Sequence, residues 1–206
     1  MRLGLFGGSF DPVHYSHLLL AECCREQRQL DRVWFVPAAT PPHKQHLAQA
    51  SAKQRVEMLE LAIGGHEAFA VSRIELDRGG VSYTVDTLRE VRRQQPDDEL
   101  FLLMGADALR DLPTWKEPAE ICRLATPIVV RRAGLPELDF SHLAAFVDAT
   151  RLAQFAASQV HMPLVDFSST DLRQRAAAGL SLRYRTPRAV EKYIQTQRLY
   201  QAEETA

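Results

Sequence analysis

A chain of 206 residues, 46% of them hydrophobic, is long enough for one domain with a sizeable core. Lys and Arg number 25 against 26 Asp and Glu, a net charge of −1, so no global basic field points to a nucleic-acid partner. No apolar run reaches the ~18 residues that a membrane span needs. The three cysteines, Cys23, Cys24 and Cys122, are odd in number and form no C-x-x-C, which fits a reducing compartment. With a core strand at its start, the chain is expected to lack a signal peptide and to be cytoplasmic.

Leu3 to Phe6 reads as a strand, and Ser16 to Leu30 as a helix. Between them lies Gly7-Gly8-Ser9-Phe10-Asp11-Pro12-Val13-His14-Tyr15-Ser16-His17, a strand, glycine turn and helix start. Such a junction binds phosphate, because the turn exposes N–H groups and the helix N-terminus adds partial positive charge. Gly7 and Gly8 allow a sharp bend and close approach. His14 and His17, three apart, would face one side of the first helical turn and donate hydrogen bonds to phosphate oxygens.

Arg32 to Pro37 is a second, nearly continuous apolar strand, as a sheet covered on both faces requires. It runs into a loop, Pro41-Pro42-His43-Lys44-Gln45-His46, where Lys44 offers a further positive contact beyond a strand's C-terminal end. Ser51 is expected to cap a helix running to Ile63 and ended by Gly64-Gly65. Phe69 to Leu76 alternates as a strand, and Arg78-Gly79-Gly80 turns. Ser82 to Gln94 reads as a helix, and Glu99 to Met104 as a buried strand ending in Gly105-Ala106-Asp107. Residues 107–125 carry short helical pieces broken at Pro113 and Pro118, followed by a strand from Pro127 to Arg131. Residues 134–158 favour helix, and Val160 to Val165 is the last strand expected. A helix starts at Ser168-Ser169-Thr170 and ends near Gly179; Pro187 opens a final one to about Gln197.

Strands alternating with helices indicate a Rossmann-like, doubly wound α/β fold with a mostly parallel sheet, organised as a single domain over residues 1–206. Neither G-x-G-x-x-G nor G-x-x-x-x-G-K-S/T occurs, so phosphate binding falls to the opening stretch and its partners. Ser168-Ser169-Thr170-Asp171-Leu172-Arg173 supplies a second such helix start, with Arg173 adding a charged fork. Two helix N-termini can close on one polyphosphate.

The opening stretch resembles the G-G-S/T-F-D-P-x-H-x-G-H signature of nucleotidyltransferases, and Ser168 to Arg173 resembles their I-S-S-T-x-I-R element. Pro41-Pro42-His43-Lys44, Ser82 to Leu88, and Gly105-Ala106-Asp107 with Trp115 are similar to motifs of one branch, the bacterial nicotinate-nucleotide adenylyltransferases. The likeness runs to about residue 188 and departs at Ser16, where the signature has glycine, and at Phe167 and Leu172. It implies transfer of AMP from ATP to nicotinate mononucleotide, giving nicotinate adenine dinucleotide and pyrophosphate in NAD biosynthesis. It further implies that His14, His17, Lys44 and Arg173 form the catalytic set, with His17 stabilising the α-phosphoryl transition state. Gly7, Gly8, Ser9, Phe10, Gly105, Asp107, Ser168, Ser169 and Thr170 would bind ATP. Tyr83, Thr84, Trp115 and Lys116 would take the nicotinate mononucleotide, with Trp115 stacked on the ring. Mg²⁺ is implied as a companion of ATP, held by phosphates and water; no protein metal site, nucleic acid or membrane is expected, and a homo-oligomer is compatible.

The residues by themselves leave other readings open. His14/His17 and His43/His46 are both H-x-x-H, as a zinc hydrolase would use, and a non-enzymatic nucleotide sensor is the third reading. Within the family, specificity for nicotinamide mononucleotide or phosphopantetheine, or a CTP reaction, is the alternative to nicotinate.

Overall fold

A computed structural model of the chain describes residues 1–40, 50–132 and 138–201. Its elements follow in the order β1 (Arg2–Gly8), α1 (Tyr15–Gln27), β2 (Arg32–Pro37), α2 (Ala52–Ile63), β3 (Phe69–Val71), α3 (Ile74–Arg78), α4 (Thr84–Gln94) and β4 (Glu99–Gly105). Then come α5 (Ala106–Asp111), α6 (Pro118–Leu124), β5 (Thr126–Arg132), α7 (Ala149–Ala157), β6 (Val160–Met162), α8 (Ser169–Ala177) and α9 (Arg188–Thr196). The six strands form one sheet in the order β3-β2-β1-β4-β5-β6, every pair parallel.

Alternation along the strands divides the core into two layers. Phe6, Val33, Phe35, Phe101, Leu103, Ile128 and Val130 face one side, with Ala21 of α1, Met58 and Leu59 of α2, Leu172 of α8 and Ile194 of α9. Leu3, Leu5, Val36, Leu100, Leu102 and Val129 face the other, with Leu88 of α4, Leu109 of α5, Ile121 of α6 and Phe155 of α7. This is the doubly wound sheet expected from the pattern. β1 and β4 are neighbours at its centre, and the winding reverses between them, so their C-terminal ends open a crevice.

Several boundaries differ from the sequence expectation. The strand foreseen from Phe69 to Leu76 stops at Val71, and Ile74 to Arg78 wind into a helical turn. Gly79 closes that turn in a left-handed conformation (φ 69°), its N–H bonded to the Glu75 carbonyl at 2.9 Å. The last strand ends at Met162 rather than Val165, because Pro163 has no N–H to continue the ladder. Ser82 does not open α4. Its hydroxyl accepts the Ala39 N–H at 2.9 Å and its own N–H donates to the Thr40 carbonyl, tying the end of β2 to the entrance of α4. Within 138–158 the helical expectation resolves into a single 3-10 turn, Ser141–Leu143, and α7. Ser51 caps α2 as expected, its hydroxyl accepting the Gln54 N–H at 3.2 Å while the Gln54 side chain accepts the Ser51 N–H. Among the described residues no helix is long and apolar enough to cross a membrane.

Helix α2 offers a test of the layering. Leu59 is fully buried and Leu61, two residues on, is 43% exposed. Leu59→Ala is expected to cost about 2–5 kcal/mol, and Leu61→Ala to stay within about 0.5 kcal/mol of the unchanged protein, in chemical denaturation.

Candidate active site

β1 delivers Gly7 and Gly8 to the C-terminal end of the sheet, and the chain then turns through Ser9 to Val13 into α1. Four of the turn's carbonyls are held by side chains from elsewhere in the chain. Arg55 of α2 donates to the Ser9 carbonyl at 2.9 Å, and Arg173 of α8 to the Asp11 carbonyl at 2.8 Å. The Ser169 hydroxyl reaches the Pro12 carbonyl at 2.9 Å, and the Thr186 hydroxyl the Val13 carbonyl at 2.7 Å. In a trans peptide the N–H opposes the carbonyl. With the Ser9 oxygen drawn inward to Arg55, the Phe10 N–H points the other way, as an anion site needs. Arg55 is 2% exposed and also grips the Ala38 carbonyl at 2.8 Å, so one guanidinium ties the ends of β1 and β2 together.

His14 is the N-cap of α1, whose first turn carries no acidic residue. Its N–H donates to Nδ1 of His17 at 3.3 Å. That bond makes Nδ1 an acceptor and puts the neutral ring's proton on Nε2, leaving an N–H donor on its other edge. The two imidazoles stack at 3.7 Å with planes 22° apart. Burial, and then the neighbouring His14, hold the His17 pKa well below 6.5. His17 is therefore a neutral donor near pH 7.

Phe10 takes an unexpected place. The resemblance has it line the nucleotide, but its ring is 1% exposed and wedged among Phe6, Phe35 and His17 at centroid distances of 5.4, 5.7 and 5.1 Å. Its backbone is left-handed (φ 49°), which turns the ring under Gly8 and leaves only its peptide group for a ligand.

On the far side of Gly7 and Gly8 lies a cavity of about 280 Å³. It is lined by Gly7, Gly8 and Ser9, by Thr84, Thr87 and Leu88 of α4, and by Glu75, Met104, Ala108 and Trp115 among others. Thr84 is the first residue of α4, so its N–H has no intrahelical acceptor, and Tyr83 as N-cap supplies no side-chain bond. An eleven-residue helix thus presents its N-terminus to an apolar cavity with a tryptophan in its wall, an arrangement suited to a flat ring bearing an anion. Trp115 is fixed by its flanks. Arg89 of α4 forks onto Glu117 at 3.0 and 2.5 Å, and Lys116 Nζ meets Asp86 at 3.0 Å while lying 4.7 Å above the Tyr83 ring.

Gly7, Gly8, Ser9, Thr84 and Trp115 therefore share one cavity, and His14, His17, Ser169 and Arg173 gather at the adjoining turn. Ser168 caps α8 by accepting the Asp171 N–H at 3.1 Å, and Thr170 Oγ1 accepts from Arg173 at 3.2 Å. Gly105 caps α5, and neither it nor Asp107 is among the residues lining the cavity; Asp107 is exposed and paired with Arg110 at 2.9 Å. Lys44, with Pro41, Pro42, His43 and His46, lies outside the described residues. Ser16, in place of the signature glycine, is buried and donates to the Val165 carbonyl at 3.3 Å.

The sequence reading missed Arg55, Asp11, Thr186 and Tyr200. Arg55 had a signal: it stands four and eight residues before Leu59 and Ile63, on the apolar stripe of α2, so the helix period alone sends it inward.

Two outcomes follow from this geometry. A Cβ on Gly7 would meet nothing within 4 Å, because the space it enters is the cavity; on Gly8 it would stand 3.0 Å from Phe10 Cζ. Gly7→Ala should leave the melting temperature unchanged and cut turnover about 10–100-fold by displacing the ligand. Gly8→Ala should also lose about 1–3 kcal/mol of stability through overpacking. The second concerns pH. Because the folded pKa of His17 is depressed, its contribution to stability is complete above pH 6.5 and declines as pH falls from there toward the folded value. Denaturant unfolding at about pH 7.5 and about pH 5.5 should show a smaller acid loss in His17→Asn than in the unchanged protein; equal losses would remove the effect.

The Cytidylyltransferase-like family model matches residues 5–175. A probable nicotinate-nucleotide adenylyltransferase of Thermus thermophilus is 50% identical over 200 residues, spanning 97% of this chain and 100% of the relative. One from a Geobacter species is 44% identical over 212 residues, spanning 97% and 98%. Among solved structures, Plasmodium falciparum nicotinic acid mononucleotide adenylyltransferase complexed with NaAD has the same fold, with a TM-score of 0.73 over 97% of each chain at 17% identity. Together with the glycine turn, the paired imidazoles and the ring cavity, these likenesses establish that the chain belongs to the nicotinate-nucleotide adenylyltransferases of the cytidylyltransferase-like family.

Proposed function

We infer that the chain, working as a single domain in the cytoplasm, transfers the adenylyl group of ATP to nicotinate mononucleotide, forming nicotinate adenine dinucleotide and pyrophosphate. The observation that carries this reading is the adjacency of two unlike sites across Gly7–Ser9, a turn with an outward Phe10 N–H beside the paired imidazoles and an apolar cavity at a helix N-terminus. The Plasmodium falciparum enzyme of the same fold was solved with NaAD, a molecule with the two chemical ends these sites suit.

The acceptor's phosphate is already an anionic nucleophile, so the protein's work is alignment and charge stabilisation rather than proton removal. One oxygen of that phosphate attacks the α-phosphorus of ATP, and the bond from that phosphorus to the leaving pyrophosphate breaks. In this assignment the Phe10 N–H and the Nε2–H of His17 meet the α-phosphate, where His17 meets charge as it develops. His14 orients His17 through its N–H and stacked ring. Ser168, Ser169, Thr170 and Arg173 hold the pyrophosphate half, with Lys44 as a further cation there. Gly105 and Asp107 border the ribose of ATP at the end of β4. Trp115 stacks on the pyridine ring, and the N–H groups of Thr84 and Lys116 meet its carboxylate beside Tyr83.

A divalent cation, Mg²⁺, accompanies the ATP. Among the described residues no group of three or more His, Cys, Asp or Glu stands where it would hold an ion, and a triphosphate with water is a donor set that fits Mg²⁺ by itself. When bound it neutralises phosphate charge.

The test is kcat/KM for nicotinate mononucleotide and its amide analogue under identical ATP and Mg²⁺, read as pyrophosphate release. A carboxylate satisfies two N–H donors, whereas the amide turns an NH₂ toward one of them. A preference of about 10²-fold or more for the acid is expected. Trp115→Ala should lower both values and keep their ratio, since stacking does not distinguish the two. Equal values for acid and amide would overturn the nicotinate assignment.

A further inference from the structure

The turn that carries the phosphate donors has one more anchor, and it comes from the far end of the described chain. Asp11 is 1% exposed. Its Oδ1 accepts the Tyr200 hydroxyl at 2.6 Å and the Ala50 N–H at 3.3 Å. Arg55, with its own grip on the Ser9 carbonyl, lies near enough to act electrostatically on both Asp11 and Tyr200. Burial, and then Asp11, push the Tyr200 phenol far above its usual range, so it stays a donor.

The backbone that delivers this hydroxyl is strained. After α9 ends, Arg198 and Tyr200 both adopt left-handed conformations (φ 51° and 62°), which side chains with a Cβ disfavour. Such conformations persist where the surroundings over-determine them, and they cluster at functional sites. Here Leu199 and Tyr200 are 9% and 8% exposed, packed into the same layer as Phe10 and Val13. The Leu199 N–H is held by the Ile194 carbonyl at 3.0 Å. The family match ends at residue 175, so this anchor lies beyond it.

We propose that Tyr200 is a positioning residue for adenylyl transfer, its hydroxyl fixing Asp11 and with it the turn whose Phe10 N–H receives the triphosphate. The Asp11 side chain is held by Tyr200 while its carbonyl is held by Arg173, so the residue is pinned from two sides. Asp11 follows the Phe10 peptide directly, and freedom at Asp11 becomes freedom at the donor. Coupling of this kind is reciprocal: a triphosphate gripped by the turn must also steady the segment that carries Tyr200.

The proposal rests on the adenylyl-transfer reading for its kinetics, so the experiment adds readouts that need no turnover. Tyr200→Phe keeps the ring in its packing and removes only the hydroxyl, leaving a buried acceptor short of a donor. Its binding of ATP, measured by calorimetry, should weaken about five- to fifty-fold, and kcat/KM for ATP should fall at least as far. Binding of nicotinate mononucleotide, seated on α4 and Trp115, should change less than about twofold. A residue serving stability alone would depress both equally. In the unchanged protein, ATP should slow hydrogen exchange at the Leu199 amide, and this slowing should vanish in the variant. ATP affinity unchanged in Tyr200→Phe, equal losses for both ligands, or a Leu199 amide indifferent to ATP would each overturn the proposal. Should Tyr200→Phe fail to fold, exchange in the unchanged protein decides alone. Should no acceptor give pyrophosphate, the function reading falls, while ATP binding and exchange still decide the role of Tyr200.

Discussion

The site depends on how the carbonyl groups between Ser9 and Val13 are satisfied. A loop beyond the end of a strand ordinarily leaves its peptide groups to water. Here the oxygens of Ser9, Asp11, Pro12 and Val13 are claimed by side chains from α2, α8 and the segment before α9. Each such bond is modest in net energy, but an unmade one at a buried carbonyl is costly, so together they leave the turn little choice of orientation. Drawing the Ser9 oxygen inward turns the Phe10 N–H outward, whereas Pro12 has no N–H and the His14 N–H is taken by His17. The side chains that enforce this orientation are cations and hydroxyls, so the surroundings add positive charge where the turn already favours a negative ligand.

The sheet separates the two ends of the proposed substrate pair. The imidazoles and α8 rest on the layer of Phe6, Phe35 and Leu172, whereas Trp115 and α4 rest on the layer of Leu88, Leu102 and Leu109. They meet at Gly8 and Ser9, where β1 ends at the sheet centre. Each half is supported by its own packing. A neutral His17 suits this place. Its pKa is held down by burial, so it adds no fixed charge beside His14, yet it offers an N–H toward an anion.

Much of this was legible in the sequence because local rules govern it. The apolar run from Leu3, the glycine pair and the helix start at His14 obey strand, turn and cap chemistry, and Ser51 and Ser168 announce their helices by the same means. The nearly continuous apolar runs of β2 and β4 marked strands covered on both faces. Segments decided by tertiary context resisted. Ile74-Glu75-Leu76 carries a strand's alternation, but an edge position with three paired residues gives a strand little to hold, and Gly79 rewards a helical turn. Phe10 looked like a ligand contact because it stands inside the glycine-turn motif, and only the left-handed backbone reveals that its ring belongs to the core. Tyr200 was silent: nothing local marks a tyrosine whose partner lies 189 residues away.

That separation has a consequence for how the protein comes into being. The two ends of the Asp11–Tyr200 bond leave the ribosome far apart in time. At about 5–20 residues per second, synthesis of the intervening 189 residues takes about 10–40 s. During that interval β1, β2 and β4 can pair, and most of both layers can form. The nascent enzyme would therefore be largely folded before it has a finished phosphate turn. On the role proposed for Tyr200, full affinity for ATP would arrive with the emergence of residue 200, rather than growing in proportion to chain length.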